Sequence, residues 1–488
     1  GRSHAPVAPR TLTSVSRLPE EHGVISKATS RLILNGLSSC LIGLAALSSV
    51  TQGVQASPSS PTQATRYIRP TPQGKADGTS WENAAALKAL DAMVNAVGAG
   101  GTVYLRSDDG DYLLGDGTVL IAHGGNEGEP VTIIGVDGSL TPTKAVIVGN
   151  RTEWSLPDDP EQVTSVTDWR VGQVVFQLAD GADSLTFKFI DFRHTGHPFH
   201  LTAPTHVNIT VEDCSGYNFR RFFEHDLGTS HVGTIIRRVR GIGFSKTAIR
   251  IRGNSHDVLL EDVFLDSGRQ DGDCWATGVE LNETAHDVAM IRVVARNCYW
   301  SNWNRPDTWW NADGFSSERG NYNITRRNCI ASGNTDAGFD DKGERVTNIN
   351  CIAYDNTVNY KFWGSSHINE SCVSLNPTRH GSGRIQHYWL SGDWPGFESP
   401  GIAGHLVIKG GVIKDDNPET YVLVAEGSNA QIHVIDAIIE TNPDATEEYA
   451  FRGTGNAFLY GSVFDSEERQ CSWDKAARCP EAHPALCR

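Results

Sequence analysis

The sequence predicts an all-β chain coiled as a parallel β-helix, a solenoid with an N-terminal capping helix. Three observations carry that expectation. Apolar runs are short and β-rich, and they recur at intervals of 21 to about 36 residues from Val131 to Tyr460. The extra length falls between the runs, which fits a coil with variable loops better than a propeller or a sandwich. Composition agrees: Gly is frequent at 49 of 488 residues and Met is scarce at 2, a turn-rich and strand-rich profile. Such a coil has no single globular core, so length does not translate into several domains.

The elements follow in chain order. Lys27 and Arg31 precede an apolar stretch from Leu32 to Val50, and Val54-Gln55-Ala56 offers a small-x-small cleavage site. Residues 1–56 are therefore expected to be a leader with a signal peptide, giving a secreted protein without membrane attachment after cleavage. Ser38, Ser39, Ser48 and Ser49 interrupt the stretch and argue against a permanent anchor. Residues 57–65 read as a Ser/Pro/Thr/Gln linker. A helix is expected over Ala84–Ala96, capped by Ser80, ended by Gly98 and burying Leu87, Leu90, Met93, Val94 and Val97 on one face. The coil then runs to residue 468, with strands such as Val131–Ile134, Val258–Val263, Val288–Val293 and Asn348–Ile352. Histidines introduce several strands (His206, His256, His286, His367) and belong at turn corners. Residues 469–488 form a tail with Cys471, Cys479 and Cys487, among which export makes a disulfide plausible. Cys329, Cys351 and Cys372, spaced by 22 and 21 residues, read as an inward stack of thiols.

Charge narrows the partners. The net charge is −16, and removing residues 1–56, with five basic and two acidic side chains, makes it about −19. That excludes a nucleic-acid partner, and a polyanionic substrate would need a metal or an arginine strip. Nothing in the chain asks for a second subunit, so a monomer is expected.

Aligning the coils on an apolar-then-polar beat produces one column: Glu224, Arg250, Glu280, Ser316, Asp340, Lys361 and Gln386. Two turns within it share a pattern, Asn311-Ala312-Asp313-Gly314-Phe315 and Asn334-Thr335-Asp336-Ala337-Gly338-Phe339-Asp340-Asp341, with their Phe residues 24 apart. Each alone is ordinary turn chemistry. In register, Asp313, Asp336 and Asp340 converge, and bare carboxylates packed together demand protons or a cation. An all-oxygen set with flexible geometry suits Ca²⁺, with Asp341, Glu344 and Asn334 available to complete the shell. Lys361 falls one coil beyond Asp340 among aromatic residues, where a neutral amine is expected to serve as a base. Such a pair can acidify and remove the C5 proton of a metal-held uronate, so that the C4 oxygen leaves by β-elimination. Arg250, Glu280, Arg384 and His387 are the candidates for substrate contact. Trp300, Trp303, Trp309 and Trp310 crowd the loop before Asp313 and could stack on sugars.

The pattern Asn-x-Asp-Gly-Phe, then Asn-x-Asp-x-Gly-Phe-Asp, then Asn359-Tyr360-Lys361 resembles the family 9 polysaccharide lyases, pectate lyases built on a right-handed parallel β-helix. The resemblance implies a secreted lyase acting on a uronic-acid polysaccharide, with Asp313, Asp336 and Asp340 as calcium ligands and Lys361 as base. It covers residues 311–364. It departs at Ala337, where the family has another ligand aspartate, and at Phe362-Trp363-Gly364, where the family has small residues. A second resemblance is to polygalacturonase glycoside hydrolases, through Asn334-Thr335-Asp336, Asp340-Asp341, His380-Gly381-Ser382-Gly383 and Arg384-Ile385. Here, however, the aspartate pair lies within one turn, and Gln386 follows where lysine is expected. A non-catalytic, carbohydrate-binding coil is the third reading.

Overall fold

Each coil of the chain lays down one short strand on each of three faces, and the strand alternation decides what lies inside. The computed structural model describes residues 64–115, 117–152, 172–270, 276–300, 311–380, 383–392 and 403–464. The expected leader (1–56), the linker as far as residue 63, Trp303, Trp309, Trp310 and the 469–488 tail lie outside the described residues; Thr65, expected to end the linker, instead begins the first strand.

The strands assemble into three long parallel sheets of 14, 12 and 13 strands. Within each sheet, neighbours are successive coils, and every long pairing is parallel. This is the right-handed parallel β-helix expected from the sequence. The first strand is Thr65–Ile68 and the last is Val463–Phe464. Inward positions are apolar and at or near zero exposure, as in Val288 and Met290 or Val346. They merge into one continuous core running along the coil.

The bends between faces explain the polar punctuation of the sequence. Asp213, Arg238, Asp262, Arg292, Asn328, Asn350 and Ser371 each adopt φ between +51° and +56°. This left-handed region turns the chain sharply; in later coils Gly410 and Gly461 take the same place. Arg238 pairs with Asp213 at 2.8 Å and Arg292 with Asp262 at 2.6 Å, so the edge is held by charge as well. The histidine corners are also present: His256 stacks on His286, and His286 on Tyr322.

The N-terminal cap differs in detail from the expectation. The α-helix spans Leu90–Val97, preceded by 3₁₀ turns at Trp81–Asn83 and Leu87–Ala89. Ala84 and Ala85 are extended rather than helical, because Ala85 bridges to Ile68 and donates to the Tyr67 carbonyl. Ser80 makes no capping bond. Leu90, Met93, Val94 and Val97 nonetheless close the end of the core as expected, and Gly98 ends the helix at φ +65°. Among the described residues, no helix is long and apolar enough to cross a membrane.

Candidate metal and catalytic site

The twelve-stranded sheet carries the site, and its register follows from an interior stack of rings. Phe315, Phe339, Tyr360 and Tyr388 lie face to face at 4.9, 5.0 and 4.9 Å between centroids. Beside them runs a ladder of buried amides: Asn334 Nδ2 donates to Asn356, Asn356 Nδ2 to Asn359, and Asn359 Nδ2 to Ser374 Oγ, at 2.8, 3.0 and 2.9 Å. Both ladders lock successive coils at a single offset. The residue after each aromatic then faces outward in one column.

That column reads His200, Glu224, Arg250, Glu280, Ser316, Asp340, Lys361, Trp389 and Val424. It agrees with the expected strip through Lys361 and departs at the next coil. Lys361 pairs with Trp389, whereas Gln386 pairs with Val358. The aromatic stack is the reason: Tyr388 follows Tyr360, so Trp389 follows Lys361.

Asp313, Asp336 and Asp340 come together as expected. All three are buried, and each offers a carboxylate oxygen within 4.8 Å of the others. The Ala337 amide donates to Asp313 Oδ1 at 2.8 Å, and Trp363 Nε1 to Asp340 Oδ1 at 2.7 Å. Lys361 Nζ lies 2.8 Å from Asp336 Oδ2 and 3.2 Å from Asp340 Oδ2. Lys342 Nζ stands 3.9 Å from Asp340 and 2.7 Å from Glu318.

The electrostatics are uneven. Burial, followed by the charges of Asp336 and Asp340, holds the Asp313 carboxyl well above the usual carboxylate range. Burial also raises Asp336, against the pull of Lys361. Burial would raise Asp340 as well, but Lys342 and Lys361 outweigh it and hold this group low. Burial disfavours the Lys361 ammonium, yet Asp336, Asp340 and Asp313 together raise its pKa. The three carboxylates by themselves therefore favour the protonated form of Lys361; the neutral amine was expected beside a bound Ca²⁺. Three buried carboxylates against one directly bonded lysine remain a donor set that suits a hard divalent cation.

Several expected contributors lie elsewhere. Asp341, proposed as a ligand, points into the coil because side chains alternate along a strand. It is fully buried and takes both Arg326 guanidinium nitrogens at 2.8 Å, with Ser317 Oγ also at 2.8 Å. Asn334 is committed to the interior ladder. Glu344 lies on the adjoining face, in the Glu344–Ile349 strand, with its side chain 56% exposed. His387, proposed to touch substrate, is completely buried between Ser374 Oγ at 2.8 Å and Asp415 at 3.1 Å. Arg384 is exposed, 3.7 Å from Glu426. Arg250 and Glu280 do lie on the strip, but they pair with each other at 2.9 Å. Trp300 is buried and packs in the core.

Ala337, where a further ligand was missing, sits in an apolar patch with Val358, Trp389 and Val424, and Trp363 packs against it. Lys342 and Trp363 were not anticipated. The signal was available: each lies two residues beyond Asp340 or Lys361, and that spacing returns a side chain to the same face. Cys329, Cys351 and Cys372 are buried free thiols, as expected.

No family model and no curated protein matches this chain. Solved structures with a similar coil include pectate lyase Pel9A, at 18% identity over 66% of this chain and 78% of that one, with a TM-score of 0.44. An alginate lyase from Paenibacillus sp. str. FPU-7 aligns at 11% identity over 83% of this chain and 100% of its own, with a TM-score of 0.40. The A-module of the Azotobacter vinelandii mannuronan C-5 epimerase AlgE4 aligns at 13% over 77% and 90%, with a TM-score of 0.37. These are likenesses of the coil, and they assign no residue of this chain.

Proposed function

We propose that the protein is a secreted, Ca²⁺-dependent polysaccharide lyase that cleaves a uronic-acid polymer by β-elimination. The observation that carries this reading is the meeting of Lys361 with Asp313, Asp336 and Asp340 on successive coils, with Lys361 Nζ 2.8 Å from Asp336 and the three carboxylates within 4.8 Å.

Asp313, Asp336 and Asp340 would hold the cation. Bound there, it supplies positive charge that draws electron density from a uronate carboxylate and acidifies the adjacent C5 proton. With Asp336 and Asp340 holding a cation, Lys361 would lose the negative charge that favours its ammonium form, and its amine would be available as a base. Lys361 Nζ then takes the C5 proton. The C5–H electron pair forms the C4–C5 double bond, and the C4–O bond breaks. The departing oxygen takes a proton from water. Trp363 steadies Asp340 through its indole N–H throughout.

The hydrolase reading is less well served. The carboxylates lie within 4.8 Å, with a lysine bonded between two of them. A hydrolase needs two carboxyl groups free to act as acid and base across the bond, whereas Asp336 and Asp340 share Lys361 and Asp341 is taken by Arg326.

Incubation with polygalacturonate, alginate or another uronate polymer and Ca²⁺ tests the proposal through the ultraviolet absorbance of the unsaturated product. Chelator is expected to abolish the rise, and Lys361→Ala to lower the rate by about 10²–10⁴-fold. New reducing ends without absorbance would make the protein a hydrolase. Binding without cleavage across the panel would make it a carbohydrate-binding coil.

A further inference from the structure

Beside the carboxylate cluster, at the corner where the site sheet turns into the next face, lies a cavity of about 330 Å³. Three successive coils build it: Arg319 and Tyr322 from one, Lys342, Glu344 and Arg345 from the next, and Trp363 from the third. At a coil spacing of ~4.8 Å, three coils span about 10 Å, enough to admit a sugar ring with its substituents. Its charge runs against that of the molecule: Arg319, Lys342 and Arg345 face one carboxylate, Glu344, in a chain of net charge −16.

The cavity adjoins the candidate site, because two of its side chains also contact Asp340. Lys342 Nζ is 3.9 Å from Asp340, and Trp363 donates its indole N–H to Asp340 at 2.7 Å. Lys342 and Arg345 are each anchored. Lys342 rests on Glu318 at 2.7 Å. Arg345 donates Nε to Asn323 at 2.6 Å and lies over the Tyr322 ring at 5.0 Å, while its side chain stays 54% exposed. Arg345 Nη1 also stands 3.8 Å from Glu344, a loose pair that a sugar carboxylate can join through the outer nitrogens, and a half-buried indole offers a face to a sugar ring.

We propose that this corner cavity is a subsite for an acidic sugar unit next to the cleaved linkage, its carboxylate taken by Arg319, Lys342 and Arg345 and its ring laid against Trp363. The proposal rests on the lyase reading for the course of the polymer, and adds that recognition extends off the strip and around the corner. It makes the enzyme selective for a chain that is charged at the neighbouring unit as well as at the cleaved one.

The test uses the double variant Arg319→Ala/Arg345→Ala, neither of which touches the carboxylate cluster. In a Lys361→Ala background with Ca²⁺ present, calorimetric titration with trigalacturonate, trimannuronate and triguluronate avoids turnover. The double substitution is expected to weaken the best of these at least tenfold, while the carboxyl-reduced trisaccharide binds both proteins alike. Arg345→Lys alone, which keeps the charge, is expected to retain most of the affinity and controls for misfolding. With Lys361 intact, the double variant should raise KM and leave kcat near wild type, since the contact is made equally in ground and transition states. An unchanged Kd and KM overturns the subsite, and so does the absence of binding by all three trisaccharides. If the wild type makes no unsaturated product, the lyase reading falls, while the titration still decides whether the cavity takes an acidic sugar.

Discussion

Two stretches of one outward column, only two coils apart, use charge in opposite ways. In the lower stretch Glu280 accepts from Arg250 at 2.9 Å and from Thr247 at 2.6 Å, and Arg250 and Arg252 approach Glu224 at 3.7 and 3.8 Å. Every acid there has a base, and Glu280, despite its burial, is brought down to about 2 by Arg250 and its other partners. In the upper stretch Asp313 and Asp336 are held above the usual range, because burial and mutual repulsion exceed what Lys361 returns. Satisfied pairs give a wall, whereas an unsatisfied surplus of carboxylate gives a place for a cation.

The largest expected difference between the stretches lies in their response to Ca²⁺. At about 100 times its Kd, bound Ca²⁺ should stabilise the wild type by about 2.7 kcal/mol. Asp313→Asn should erase that gain in thermal unfolding, while raising stability in chelator by on the order of 1 kcal/mol because a buried like charge is gone. Glu280→Gln should leave the Ca²⁺ response intact. A Ca²⁺ response that survives Asp313→Asn would break the contrast. Next in size, Glu280→Ala leaves Arg250 without its closest partner and should cost about 1.5–3 kcal/mol in denaturant unfolding. A negligible cost would mean that the lower pairs are decorative. The smallest effect is in pH. Glu280 titrates lower in the folded chain than in the unfolded one, so its contribution is complete above about pH 4.5 and is lost as pH falls towards about 2. The stability gap between wild type and Glu280→Gln should therefore narrow over that window and stay flat above it.

The repeating physics of the coil was legible in the sequence, and so was most of the cluster. Asp313, Asp336, Asp340 and Lys361 could be aligned because a buried aromatic ring lies within three residues of each, although Asp313 falls in register with Ala337 rather than with Asp336. Asp341 was misplaced for want of the two-residue alternation, which separates it from Asp340 by the thickness of the strand. The same alternation, followed two residues onward, would have found Lys342 and Trp363. His387 and Gln386 went astray because the coil from Lys361 to Trp389 is longer than the one from Asp340 to Lys361, and only the stacking of Tyr388 on Tyr360 restores the count. Arg326 was beyond reach. A fully buried guanidinium, 5.5 and 5.6 Å from the centroids of the stacked Phe315 and Phe339 rings and bonded to Asp341, reads in sequence as one more surface arginine.

The stack of sulfhydryls has a consequence for how such a chain must be made. Cys298, Cys329, Cys351 and Cys372 line the interior of successive coils, all buried and all reduced. Burial pushes the Cys351 thiol up to about 12 and raises Cys298 and Cys329 well above the ordinary value. Almost no thiolate forms, and oxidants have no path to it, so the finished coil is inert towards disulfide exchange. The vulnerable interval is the one before the coils close. One to a coil along the unfolded chain, these sulfurs could cross-link out of step and lock neighbouring coils in the wrong order. Coil winding has to outrun oxidation, and the yield of active protein should depend on the redox potential only while the chain is still folding.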